Sequence, residues 1–449
     1  MARTSFMVVF AIAVGVGVGV VGAGASGCGP TPFAKCEGAP PLPPISSSIT
    51  FHHDVAPIIA GRCARCHQEG GLAPFPLATL DDVDNHLAEI GDAVSSRRMP
   101  PWMPATCCNK FTQDPSLTAD QIATITTWID AGAPEGDVAN EGRSLEPVGA
   151  LPRVDATLTM PKAYQPDVAH HDDTRCFMLD WPFDQTKFVT GFNVTPGARA
   201  EVHHALVVLA PSAMRGSFEQ LDKADAAPGW SCPGGLVLGI DDYIGGWSPG
   251  WDGETMPKGT GHRVNKGDIV ILTVHYTKPH ERVDVVADKT SVDVMIEDRV
   301  DDELTAVPVL NADWALGGLP IPAGAKDVEF AAEYDPTLTY SPGKPLTIVG
   351  ANLHMHERGK SGVVGIKRAN GKQDCVVQID NYDHQWQGDY TLAERMTLAP
   401  GDKAYVECHF DNSASHQRLV DGLPEKPRDL NWAEDQEMCV GYLTIVKPR

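Results

Sequence analysis

Positive charge is scarce in this chain. Lys and Arg number 36 against 59 Asp and Glu, a formal net charge of −23 at pH 7, so a polyanion such as nucleic acid is repelled rather than gathered. Nucleic-acid binding is excluded as a function class. Downstream of residue 25 there is no uncharged apolar run long enough to span a bilayer, and no internal repeat is evident. What is abundant is turn-forming residues: 43 Gly and 36 Pro beside 42% apolar residues, a composition neither disordered nor collagenous and suited to short strands joined by turns. The 449 residues leave room for roughly three domains at about 150 residues each.

The one long apolar run, residues 6–25, follows Arg3 and precedes Ser26, Gly27 and Cys28, the pattern of an export signal. The small residues before Cys28 resemble the lipobox of bacterial lipoproteins, with Ala25 where that family usually has Leu. Two readings stay open, lipidation of Cys28 and a plain secretory peptide cut nearby. Both put the mature protein outside the cytoplasm, periplasmic or anchored at the outer membrane of a bacterium, with that N-terminal anchor as its only membrane contact. Residues 1–27 are the expected signal peptide and residues 28–48 an extended tether rich in Pro and Ser.

From residue 51 to about residue 136 the periodicity is helical. Leu80, Val83, Leu87, Ile90 and Val94 recur at steps of three and four, one apolar stripe on a single helix capped by Thr79. Thr118 and Gln121 form a capping box ahead of Ile122, Ile125, Trp128 and Ile129, and Gly132 with Pro134 supplies the stop. Residues 49–137 therefore read as a small all-α domain, followed by a linker over 138–150. Beyond it, β-branched runs at 205–209, 268–276 and 346–353 are separated by Gly, Pro and Asn. They predict two all-β antiparallel sandwich domains, jelly-roll-like, over 151–304 and 305–449, joined where the acidic stretch 297–303 ends a strand-like run.

Within the helical segment, Cys63-Ala64-Arg65-Cys66-His67 is a C-x-x-C-H sequence. Two thioethers to porphyrin vinyl groups and an imidazole on the iron need this spacing on one helical turn, which predicts one covalently bound haem c. A disulfide or redox pair beside an unrelated His is the competing reading; zinc would need two further ligands, and adjacent Cys107 and Cys108 are a poor zinc pattern. Met99 and Met103 both offer a thioether downstream, either as sixth ligand or as packing on the porphyrin edge. The stretch 51–137, with Asp54-Val55-Ala56-Pro57-Ile58, the haem motif, Met99-Pro100-Pro101-Trp102 and Trp128-Ile129-Asp130-Ala131-Gly132-Ala133-Pro134, resembles class I-type cytochrome c domains fused to periplasmic enzymes. That resemblance makes Met99 the axial ligand. His52, His53 and His86 read as surface histidines.

The 16 histidines are unevenly spread. His203-His204 opens one apolar run, His275 closes another, and His354-Met355-His356 follows a third. His354 and His356 are two apart, so on a strand both rings leave one face and can grip one ion while Met355 points into the core. His203 and His204 would face opposite ways on a regular strand, so sharing a metal requires the strand to end or bulge there. Zinc is an alternative for a three-His site. Iron would want a carboxylate, and Glu357 should face away from His356. His170 and His171 read as a solvated turn, and His262, His280, His384, His409 and His416 as ordinary polar residues.

The order His203-His204, Val274-His275-Tyr276, Leu353-His354-Met355-His356, Glu437-Met438-Cys439 resembles the copper type II ascorbate-dependent monooxygenases over about residues 150–449. Gly245-Gly246-Trp247-Ser248-Pro249-Gly250 and Gly359-Lys360 stand where that family carries similar turns. The resemblance implies two copper ions: His203, His204 and His275 hold an electron-supplying copper, and His354, His356 and Met438 an oxygen-activating one. It also implies a Cys408–Cys439 disulfide and makes Tyr442 a substrate-pocket residue. The other exported cysteines allow many pairings; Cys176 with Cys232 is the one expected in the first β domain.

The activity implied is hydroxylation of a C–H bond of a small organic substrate with dioxygen, with electrons from an external donor, an ascorbate-like reductant or a redox protein, passing through the haem. In the peptide-processing branch an arginine and an asparagine hold the substrate carboxylate; here Asn352 and Val440 occupy those places, which disfavours peptidylglycine. The alternative reading is an exported haem and copper electron-transfer or copper-binding lipoprotein without hydroxylase activity, because fold does not establish activity.

Overall fold

The computed structural model describes residues 41–448 apart from 46–47, 70, 72, 144, 146–149, 168–171, 233–241, 252, 278–284, 421–422 and 434–435. The expected signal peptide, Cys28, most of the tether, and His170, His171 and His280 lie outside the described residues.

A helical unit comes first. A short π-helical turn, Phe51–Val55, runs into Ala56–Arg62, and Leu80–Asp84, Leu87–Ser95 and Ala119–Asp130 follow. Capping boxes start two of these helices, Thr79 with Asp82 and Thr118 with Gln121. The stripe 80–94 is not one helix: it breaks at Asn85 and His86, where His86 leaves helical geometry at φ −130°, ψ 22°. Asn favours local side-chain to backbone bonds over helix, and the break costs little because Val83, Ile90 and Val94 still reach the same core. That core closes around Trp128, whose indole Nε1 donates to Pro134 O at 3.1 Å.

The rest of the described chain is mostly β, in agreement with the expected sandwiches. A long sheet runs Ala156–Thr159, Ser291–Glu297, Lys187–Thr195, Thr260–Val264, Asp302–Val309, Val440–Val446, Leu346–His354, Tyr390–Leu398. A five-stranded sheet covers its first half, with Ile269–Thr277 between Asp172–Leu179 and Val202–Ala210. A four-stranded sheet, Val328–Tyr334, Lys403–Phe410, Gly359–Lys367 and Gln373–Ile379, covers the second half. Alternating apolar residues fill each interlayer space, Phe192, Val207 and Leu272 in the first and Ile348, Val364 and Val406 in the second. Residue 304 falls inside Asp302–Val309, whose start pairs in parallel with Thr260 and Gly261 and whose body pairs with Val440–Val446. The two halves therefore share one sheet.

The segment after the helix Leu87–Ser95 attaches chiefly to the second half, with Trp102 also stacked on Trp251 and Gln113 Nε2 donating to Gly253 O at 3.4 Å in the first. Ala105 N donates to Gln378 O at 2.7 Å, Thr112 N to Thr391 O at 3.0 Å, and Asn109 Nδ2 to Cys375 O at 2.7 Å. Trp102 and Phe111 pack on Tyr390, and a Cys108–Cys375 disulfide locks this strap down. Two further disulfides join Cys176 to Cys232 and Cys408 to Cys439.

Candidate metal centre

The first cluster is made by a strand irregularity. Val202 pairs with Tyr276 and His204 with His275, so His203 is the extra residue of a bulge. That bulge turns adjacent side chains to one side. The three Nδ1 atoms form a near-equilateral triangle: 3.1 Å from His203 to His204, 3.3 Å from His203 to His275, 3.2 Å from His204 to His275. An ion about 2.0–2.1 Å from each nitrogen at tetrahedral angles needs nitrogens about 3.3 Å apart, so the donor set fits a metal without rearrangement. Burial, and then the neighbouring imidazoles, hold His204 well below the ordinary histidine range, which keeps its lone pair available.

The second cluster sits at the end of Leu346–His354. His354 Nε2 and His356 Nε2 are 3.2 Å apart, and His354 Nδ1 meets Gln387 Oε1 at 2.5 Å. That bond puts the proton on Nδ1 and leaves Nε2 as the donor atom. Burial, with His354 next, lowers His356 to about 3. Met355 is fully buried and bracketed by the Tyr382 hydroxyl, which accepts from its N–H and donates to its C=O. Met438 lines the same cavity as the two imidazoles and is 2% exposed. The residues on either side clamp it. Glu437, fully buried, accepts from the N–H of His356 at 2.9 Å and of Arg358 at 2.5 Å, and Cys439 is tied to Cys408. Burial outweighs those amide donors and pushes Glu437 up to about 8.

Glu357 lies beyond the strand end, not on it, and its carboxylate is held by Arg358 and Arg418. Gly245, Gly246 and Trp247 are likewise strand residues, ending Asp242–Trp247, and Gly359-Lys360 opens Gly359–Lys367; only Ser248 onward turns.

Both clusters open onto one cavity of about 830 Å³, lined also by Tyr442, Asn352 and Tyr243. Asn352 is committed to Gly388 O at 2.8 Å. Tyr442 packs near Tyr243, their ring centres 6.3 Å apart, and burial pushes it up to about 12. Behind this wall, half-buried Asp389 accepts from Tyr243 OH at 2.6 Å and from Gly246 N at 2.7 Å, tying the two halves together.

His384 was expected to be an ordinary polar residue, and the structure corrects this. Its ring centre lies 5.8, 6.1 and 6.4 Å from those of His203, His204 and His275 and 6.0 Å from that of His356. Nothing in its own sequence neighbourhood marks it. Its segment is a short turn, His384–Trp386, outside any strand.

In the helical unit, Cys63 and Cys66 are free of disulfides. His67 Nδ1 contacts Phe75 O at 3.0 Å, which leaves Nε2 for an axial bond. Burial, and then Cys66, pushes the Cys63 thiol up to about 12, unlike a reactive dithiol. Met103 Sδ accepts from Asp383 N at 3.1 Å and so faces the second sandwich. His86 is not a plain surface residue: its ring stacks on Phe75 at 3.7 Å and its Nδ1 is buried. A Cβ on Gly250 would stand 2.9 Å from Cys66 Sγ, so the C-x-x-C-H turn rests directly on the first sandwich.

Residues 318–447 match the model of the copper type II ascorbate-dependent monooxygenase, C-terminal domain. MOXD1 homolog 1 of Drosophila melanogaster is 21% identical over 203 residues, 44% of this chain and 27% of that protein. DBH-like monooxygenase protein 1 of Mus musculus is 25% identical over 253 residues, 54% of this chain and 38% of that protein. The chain thus spans well under half the length of these relatives. PNGase F, a glycosylasparaginase from Flavobacterium meningosepticum, overlays with a TM-score of 0.28 at 11% identity, covering 65% of this chain and 96% of its own, too slight a likeness to carry a conclusion. The sandwich that carries His354, His356 and Met438 is similar to the C-terminal domain of copper type II ascorbate-dependent monooxygenases.

Proposed function

We propose that this chain is a copper-dependent monooxygenase that hydroxylates a C–H bond of a small organic substrate with dioxygen, drawing electrons from an external donor through a c-type haem. The observation that carries this reading is the convergence of an Nδ1 triangle and a His-His-Met set on one cavity. His203, His204 and His275 would hold one copper, and His354, His356 and Met438 the other. Copper bound there supplies one-electron redox chemistry and oxygen activation.

The chain's own residues prepare the site. Buried imidazoles stay neutral, so no proton competes for their lone pairs. Gln387 fixes the His354 tautomer, and Met438 supplies the soft donor that favours Cu(I). Tyr442 and Tyr243 offer phenolic walls to a substrate. With Asn352 committed to Gly388 O and Val440 apolar, the places that hold a substrate carboxylate in the peptide-processing branch carry no clamp here. A neutral or amine-bearing substrate suits this wall.

The haem reading rests on Cys63, Cys66 and the orientation of His67, with Met99 as second axial ligand since Met103 is engaged elsewhere. Its position suits a donor to the triad: Gly250, under Cys66, is three residues from Trp247, which pairs with Ala205 beside His204. Export and lipidation at Cys28 belong to the same proposal. The test is turnover of candidate amines and phenyl-substituted alkanes by copper-loaded protein under ¹⁸O-labelled dioxygen. One labelled atom in the product supports hydroxylation. Copper binding with no labelled product from any substrate would favour the copper-binding alternative.

A further inference from the structure

We propose that His384 is a fourth imidazole donor to the metal of the His203, His204 and His275 triad, delivered from the opposite sandwich. The inference rests on the copper reading of that triad. An imidazole nitrogen about 2.0–2.1 Å from a metal puts its ring centre about 3.2 Å away, so tetrahedral neighbours have centres about 5 Å apart. The triad rings are 5.2, 5.2 and 4.6 Å apart and meet this. His384 stands 5.8, 6.1 and 6.4 Å from all three at once and 6.0 Å from His356, lining the same cavity as His204 and His275. A ring nearly equidistant from three ligands stands where a further donor to the same ion would come from. The excess of about 1 Å, with only the three triad nitrogens grouped within 4.8 Å of one another, means that donation requires the His384 side chain to rotate towards the triad.

The support around His384 is built for placement. Asp383 caps its turn by accepting from Gln385 N at 2.9 Å, and Gln387 Nε2 donates to the His384 carbonyl at 3.1 Å while its oxygen holds His354. One side chain thus fixes both the backbone of His384 and a ligand of the other metal site. Asp389, two residues further on, pins the same segment to Tyr243 and Gly246 of the first sandwich. A ligand carried on this segment makes metal binding at the triad a bond between the halves, and puts the two metal sites on a common support.

The experiment uses full-length protein carrying His354→Ala and His356→Ala, which leaves the triad as the sole designed site, loaded with one equivalent of Cu(II). X-ray absorption and pulsed EPR count the imidazoles on the copper. Four are expected, falling to three in the further variant His384→Ala or His384→Gln, with at least a tenfold weaker hold on copper against a chelator. Three imidazoles with His384 present overturn the proposal whether or not the further variants fold. Absence of copper from the triad overturns the copper reading and this inference together; copper held by three overturns this inference alone.

Discussion

Removing the Glu437 carboxylate should both destabilise the protein and selectively loosen one metal site. Glu437 is fully buried and accepts from the N–H groups of His356 and Arg358 at 2.9 and 2.5 Å. In Glu437→Ala both donors lose their partner in a closed interior, at about 1–3 kcal/mol each, so the loss is about 4 kcal/mol. Glu437→Gln keeps one carbonyl acceptor and should lose about half as much. The same two bonds hold His356 in register with Met438, so copper at the His-His-Met set should weaken by tenfold or more while the Nδ1 triangle keeps its copper. Urea unfolding of the metal-free protein gives the first quantity, and copper stoichiometry against a graded chelator gives the second. A loss below about 1 kcal/mol, or equal weakening at both sites, would refute the assignment of Glu437 as the clamp.

Three other outcomes are expected. Burial lowers His356 to about 3, below its value of about 6.5 in an unfolded chain, so its contribution is present above about pH 6.5 and lost as pH falls, by up to about 1.4 kcal/mol per pH unit; His356→Gln should flatten the urea-derived stability of the metal-free protein between pH 7.5 and 5.5, and an unchanged slope contradicts this. Met438→His should keep copper bound but lower the midpoint potential of that site, read by EPR-monitored redox titration, with the triad signal unchanged. Haem should stay with the polypeptide after acid–acetone treatment, and Met99→Ala should abolish a sulfur-to-iron absorption band that Met103→Ala leaves intact.

Much of this architecture was legible where a local rule decides the matter. Two adjacent histidines can share a metal only where the strand ends or bulges, and of these two the structure has the bulge, at His203. Thr118 sits three residues before the Gln121 that completes its capping box, a pattern read without any tertiary knowledge, and Thr79 reads as a cap though its partner Asp82 does not stand out. His384 obeys no such rule. It stands in a turn, and its meaning comes only from the meeting of two sandwiches whose relative placement no spacing records. The role of Glu437, which stands in the Glu437-Met438-Cys439 run, and that of Gln387 are invisible for the same reason, since each acts on a residue at least 33 positions away. The Cys108–Cys375 link could not be picked from the combinatorics of many cysteines. The break at Asn85 and His86 was hidden because the apolar steps of three and four continue through it.

The strap has a consequence for the order in which the molecule can be completed. Its partners, residues 375–393, are made more than 260 residues after Cys108, the separation spanned by the Cys108–Cys375 bond being 267. The first sandwich, made in between, is therefore enclosed in a covalent ring: helical unit, first sandwich, second sandwich and back. The ring cannot shut until Cys375 and its strand Gln373–Ile379 have been made, so the strap waits for the second sandwich. Once shut, it withholds loop-closure entropy from the unfolded state on the order of 5 kcal/mol. A single protease cut between the helical unit and the first sandwich then releases nothing, and the helical unit stays with the second sandwich until the Cys108–Cys375 bond is reduced and the strap peeled away.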